Sequence, residues 1–297
     1  MTQNKFEEAT RLYRHAEEMS GNSFDFKTIW ALVAAKRYHE ADQEIQLVAN
    51  APPGFYKQRG IAMTIDAYAD RGMFNKAKTE TLNLIQAIPN IDESPTLKYM
   101  TDSIQIALAE RTLEKPQLHQ QIRQVLNRVR KSSPQTSPGA SPKAIQLAIT
   151  ARIGARNGML SSAQEISASI GPTLKTSGFP IWQASALLLE AEIALQQGKA
   201  EQAVKLASES LAIAELYQGH ETLARAHIAA GNASLGEQEL LWLIAQRGRI
   251  FVESSDSICG CANMFNVLDW AGAHLRLARL KRSTGDTTAA IKYYKTF

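Results

Sequence analysis

The sequence predicts an all-α protein, an α-α superhelix assembled from helical hairpins. A spacing of three, four and three residues between apolar or small side chains recurs six times in the 297 residues. Glycine stands two positions before four of these copies, where a left-handed residue ends one helix and turns the chain into the next. Alanine is abundant while aromatic residues make up 7%, a balance that suits closely approaching helices better than sheets.

The clearest hairpin is residues 184–214, ASALLLEAEIALQQGKAEQAVKLASESLAIA. Leu187, Leu188, Ala191, Ala194 and Leu195 recur at helical spacing and leave Glu190 and Gln197 for water. Gly198 breaks the pattern, and Ala203, Leu206, Ala207 and Leu211 mark one face of a second helix.

In chain order, the spacing first appears as Phe6, Ala9, Tyr13 and Ala16, then as Tyr38, Ala41, Ile45 and Val48 with Pro53 beyond. Phe74, Ala77, Thr81 and Leu84 follow Gly72 and precede Pro89. Leu160, Ala163, Ser167 and Ile170 lie behind Gly158, and Ala200, Ala203, Ala207 and Ser210 behind Gly198. Thr287, Ala290, Tyr294 and Phe297 close the series behind Gly285. Residues at these offsets share one helix face. Two less regular units fill the gaps, one over 94–130 and one over 222–249, the latter expected to hinge near Gly236.

Tyr68, Gly72, Phe74, Ala77 and Pro89 stand where the tetratricopeptide repeat has its aromatic, turn, aromatic, alanine and proline residues, and the chain resembles that superfamily, with several lengthened repeats. The longer units also resemble the arrays in the sensor halves of some bacterial transcription activators. The resemblance implies that Tyr68 packs in the repeat core and that first helices of successive units line a concave groove for an extended or helical peptide. Carried onto this chain, that groove presents Trp30, then Arg59, Asp66 and Asp70, then Arg111, Arg152, Arg156, Glu192, Gln196 and Arg279. Trp30 is its candidate aromatic anchor or, equally, a core residue between units. The basic clamp by which chaperone-binding members hold a terminal carboxylate has no counterpart, since its places hold Phe26, Trp30, Ala62, Asp66, Ala148, Arg152 and Leu189.

The sequence divides into repeats over 1–130, a Pro/Ser-rich loop or linker over 131–143 (KSSPQTSPGASPK), and further repeats over 144–297. Prolines and serines at that density neither hold a helix nor bury a core. The first copy reads as the second helix of a unit and the last copy stops mid-repeat, so a portion of a longer protein is expected. Array ends are normally finished by a polar cap.

Net charge is +4, from 33 Lys and Arg against 29 Asp and Glu. Residues 1–130 hold 17 against 16 and the remainder 16 against 13, so neither half is a basic arm and bulk charge gives no support to a nucleic-acid partner. No apolar run of membrane-spanning length and no signal peptide is present. The expected location is the cytoplasm.

No catalytic signature emerges. His220 and His227 are seven residues apart in HETLARAH, and two helical turns separate them by about 10 Å, too far to share a metal alone. Cys259 and Cys261 are two ligands where structural zinc needs four. Asp66 and Asp70 share a helix face, an arrangement open to acid–base work, solvation or a basic peptide. Arg123, Arg128, Arg130, Lys131 and Lys143 gather near the linker and read as a solvated helix end. The sequence therefore points to a non-enzymatic scaffold, without cofactor or metal, that binds a protein or peptide. The alternative is a ligand- or peptide-sensing segment of a larger signalling or transcription-activator protein.

Overall fold

The computed structural model describes residues 4–20, 26–88, 91, 95–112, 115–131, 142–251, 253 and 263–296. Among them are fifteen α-helices, one 3-10 segment and no strand. The helices are α1 (Phe6–Ser20), α2 (Lys27–Ala34), α3 (Tyr38–Asn50), α4 (Phe55–Asp70), α5 (Phe74–Ala87), α6 (Pro95–Thr112), α7 (Lys115–Lys131) and α8 (Pro142–Arg156). They continue as α9 (Leu160–Lys175), α10 (Pro180–Gln196), α11 (Ala200–Ile213), α12 (Tyr217–Ala229), α13 (Ala233–Ala245), α14 (Asn263–Ser283) and α15 (Thr287–Thr296). The 3-10 segment is Arg247–Phe251. Neighbouring helices pack in pairs, and the protein is an all-α array of helical hairpins.

All six spaced copies open helices: α1, α3, α5, α9, α11 and α15 each start at the first residue of a copy, and the last five are the second helices of hairpins. The turns before them share one hydrogen-bond pattern. Met73 N–H donates to Tyr68 O (2.8 Å), Met159 to Gly154 O (2.9 Å), Lys199 to Ala194 O (2.9 Å) and Asp286 to Lys281 O (2.9 Å). Each bond closes over a glycine of positive φ, the helix-ending geometry that a side chain disfavours. Arg37 N–H bonds Leu32 O in the same way (2.8 Å), but there the left-handed residue is Lys36, with φ 61°.

The expected hinge at Gly236 is displaced. The turn lies at Gly231, φ 82°, with Asn232 N–H bonded to His227 O at 2.8 Å. Gly236 sits inside α13, where a Cβ would meet Ile228 Cγ1 at 2.5 Å. Ala233, Gly236, Leu240 and Leu243 are thus a seventh copy, with glycine where the others carry a small residue, and the last three of them are buried.

The chain forms two compact units. The front unit comprises Met1–Thr112, Gln246–Glu253 and Cys261–Leu268, and the rear unit Leu113–Ala245, Ser254–Gly260 and Asp269–Phe297. Small side chains let rear-unit helices approach closely. Ala184 and Leu188 of α10 pack on Leu216, Ala191 packs with Ala207 and Leu223, and Ala194 with Ala203 and Ala226. The Ser210 hydroxyl, fully buried, donates to Ala184 O at 3.0 Å. In the front unit Ala77, Thr81 and Leu84 of α5 are buried. Tyr68 is half-buried, with Lys76 Nζ 5.4 Å from its ring centre, so its ring lies partly at the surface of the repeat. No described helix is long and apolar enough to cross a membrane. Residues 132–141, most of the Pro/Ser-rich stretch, lie outside the described residues.

Candidate functional site: the polar faces of the first helices

One position recurs through the array. Six residues before each left-handed turn residue stand Trp30, Asp66, Arg152, Glu192, Arg225 and Arg279. With Asp70, Arg156, Glu221, Asp269 and Arg276 from the same helices, this row places polar chemistry in both units.

In the front unit, Trp30 Nε1 donates to Asp66 Oδ2 at 3.2 Å, and one turn further Asp70 Oδ2 accepts from Arg247 at 2.8 Å and from Tyr38 OH at 3.4 Å. Arg247 also donates to Val33 O and Ala34 O, both at 3.1 Å. These carbonyls end α2, where backbone dipoles concentrate negative charge. Trp30 stacks on Phe251 with ring centres 6.3 Å apart. Gly248 N–H donates to Asn4 Oδ1 (3.1 Å), and Asn263 Nδ2 donates to Phe251 O (2.7 Å). The 247–251 segment therefore covers the polar face of α2 and α4.

Burial pushes the Asp66 carboxyl up to about 8, against the Trp30 hydrogen bond and with help from neighbouring Asp70. Asp66 is consequently a neutral acid at pH 7. Burial also raises Asp70, opposed by the Arg247 guanidinium.

In the rear unit the row joins a buried ion network. Glu192 of α10 accepts both terminal nitrogens of Arg225 from α12, and Gln196 Nε2 donates to Glu192 Oε1 at 3.1 Å. Glu221, on α12, meets Arg225 at 2.9 Å, Arg276 of α14 at 2.8 Å and Arg156 of α8 at 3.8 Å. Arg156 also pairs with Asp269 of α14 at 2.9 Å. Arg152 donates to the neutral Gln218 amide oxygen, and no carboxylate lies within ion-pair distance of it among the described residues.

The network holds four guanidiniums, from Arg152, Arg156, Arg225 and Arg276, against three carboxylates, from Glu192, Glu221 and Asp269. Burial alone raises Glu221, yet Arg225, Arg276, Arg156 and Arg152 together hold it well below the usual carboxylate range. Burial lowers Arg152 and Arg276, while Arg225 is raised because Glu192 and Glu221 outweigh its burial. Asp269 is raised by burial, with Arg156 opposing.

The structure thus brings together Trp30, Asp66 and Asp70 in one group, and Arg152, Arg156, Glu192 and Gln196 in another. Arg59 is half-buried on α4, seven residues before Asp66, and Arg111 caps Leu268 O at 2.7 Å. Arg279 is exposed and stands outside the ion network. Sequence reasoning missed Glu221, Arg225, Asp269, Arg276 and Arg247. Arg225 was findable from its place six residues before Gly231.

The other candidates resolve individually. His220 Nδ1 lies 2.6 Å from Glu239 Oε2, and its ring stacks on Trp242 with centres 3.5 Å apart. Arg130 pairs with Glu165 at 3.1 Å, and Lys143 Nζ donates to Arg130 O at 2.9 Å. No group of three or more His, Cys, Asp or Glu side chains among the described residues is arranged to hold a metal. Cys259 and Cys261 lie outside the described residues.

Compared with models of known protein families, the chain matches none, and no curated protein matches it.

Proposed function

We propose that the chain is a non-enzymatic helical-repeat scaffold of the tetratricopeptide type that binds a protein or peptide along its first-helix faces, in the cytoplasm. The recurrence of an ionisable residue six positions before five of these turns, with Trp30 before the sixth, carries this reading. Hairpins of this kind pack mainly by alanine and aliphatic contacts, as α10 and α11 do. Burying ionisable groups costs several kcal/mol each, and a well-packed apolar face of similar volume often serves stability as well or better. A row of such groups supports recognition better than it supports folding. The exposed Arg279 at the same repeat position favours acidic segments.

Selection from a random phage-displayed peptide library against the immobilised full chain tests the proposal. Acidic sequences are expected to emerge and to bind at least tenfold more weakly to an Arg279→Glu, Gln196→Ala variant, both positions being exposed, with Tm unchanged. Failure to enrich any sequence, or equal binding by the variant, rejects it.

A second reading, a sensor segment within a larger signalling or transcription protein, is favoured by Glu221. Its single carboxylate is shared by arginines from α8, α12 and α14. A small anion drawing those arginines away shifts the packing of three first helices together. Thermal-shift titration with dicarboxylates gives a saturable rise in Tm on this reading and a flat response otherwise.

A further inference from the structure

The 247–251 segment is no part of a repeat. It is a 3-10 turn between α13 and α14, and it reaches back to residues 177 to 244 positions earlier. Its contacts are nonetheless specific to side chains. Arg247 is 7% exposed and Phe251 fully buried. The acceptors of the guanidinium include Val33 O, Ala34 O, Asp70 Oδ2 and, at 3.5 Å, Tyr38 OH. A guanidinium aims its donors in a rigid planar fork, whereas a lysine ammonium is a compact charge with rotatable donors on a flexible stem, so these spread acceptors favour arginine. Four residues on, Phe251 provides a ring for Trp30. The segment thus meets polar groups of α2 and α4, the last carbonyls of α2 and the Asp70 carboxylate, from outside the hairpins that carry them.

We propose that the front unit's α2–α4 face is a recognition site for an arginine followed four residues later by an aromatic, and that Arg247–Phe251 occupies it in cis until a partner protein's segment of that chemistry displaces it. This rests on the reading that first-helix faces take peptides, and it narrows that reading for the front unit. Asp70 and the α2 carbonyls select the arginine, and Trp30 selects the ring. Asp66, neutral and bonded to the indole, holds Trp30 in place without adding a charge that would compete with Asp70.

The test uses a labelled peptide, QRGRIFVE, read from residues 246–253, in fluorescence anisotropy with the full chain. An Arg247→Ala, Phe251→Ala double variant that keeps helical circular dichroism and a cooperative melt is expected to bind it at least tenfold more tightly than the wild type. Binding should fall tenfold or more when the peptide's arginine (equivalent to Arg247) becomes lysine, or when Asp70→Asn is added to the variant. A folded variant that binds QRGRIFVE no better than a scrambled peptide overturns the proposal. Should the variant melt without cooperativity, hydrogen exchange on the wild type decides. Excess peptide must speed exchange of amides 248–251 at least fivefold, and no change overturns the proposal. A wild-type dimer with 247–251 exchanged between copies also overturns it, by assigning the face to a second copy. Failure here leaves the rear-unit peptide selection standing, so the two readings fail separately.

Discussion

In the front unit, the polar row meets a segment from elsewhere in the chain: Asp70 and the end of α2 hold Arg247, while Trp30 holds Phe251. In the rear unit the same repeat position meets its own neighbours, with Glu192 paired to Arg225 and Glu221 gathering arginines from three helices. The hairpins themselves are built alike, with one turn geometry and one alternation of small and large residues. What differs is the source of the counter-charge. On the displacement proposed above, the front face is vacated when segment 247–251 leaves it. A rear face satisfied by its own helices changes only when those helices shift. One repeat position thus meets two kinds of partner, according to what is folded against it.

The comparison is broken most severely at Glu221. Removing it leaves Arg225, Arg276 and Arg156 buried together with one fewer anion, and breaking a buried ion pair from one side costs about 3–5 kcal/mol. Glu221→Ala should lower the urea midpoint accordingly. In the front unit Asp70→Asn keeps an acceptor for Arg247 and is expected to cost about 1–2 kcal/mol. Equal losses would show that the front segment is as integral to the fold as the rear network.

A smaller and pH-specific effect separates the units at Asp66. Its folded-state carboxyl stands at about 8, above the ordinary value of 3.8. The protonated form is the one the fold favours, so this contribution is fully present below the unfolded-state value and is lost as pH rises through about 8. Between pH 6 and pH 8 the wild type should lose about 2 kcal/mol at this site. Asp66→Asn should flatten the stability profile over that window. Denaturant titrations at pH 6, 7 and 8 measure it, and a profile identical in both proteins would show that Asp66 ionises freely.

Much of the frame was legible because it repeats locally. The three-four-three spacing marked the start of six helices, since burying one helix face leaves the same trace each time. The seventh was hidden by Gly236, which reads as a helix breaker although its backbone packs against Ile228 and Ala224 O. That misreading moved the turn from Gly231 and concealed Arg225. Trp30, Asp66, Arg152 and Glu192 were found as face residues, but their partners were not. Asp269 and Arg276 lie on a 21-residue helix without a distinguishing period, and Arg247 comes from a connecting turn. Which charges meet across more than a hundred residues is decided by how the hairpins stack, and no local pattern encodes it.

The smallest expected effect lies in the turn that sets the front unit apart. The rear unit turns at Gly158, Gly198, Gly231 and Gly285, all of positive φ, whereas α2 ends with Lys36 at φ 61°. A side chain in that conformation crowds its own carbonyl and costs about 1 kcal/mol, which glycine avoids. Lys36 also places positive charge near Asp70 and lowers its carboxyl, so replacing it changes two things at once. Lys36→Ala removes the charge and keeps the Cβ, while Lys36→Gly removes both. The difference between the two variants isolates the backbone contribution. Lys36→Gly should be more stable than Lys36→Ala by up to about 1 kcal/mol, less the extra entropy that glycine gains in the unfolded chain. If the two melt together, the α2 turn is held by its neighbours, and the front unit tolerates lysine there because the covering segment already fixes the end of that helix.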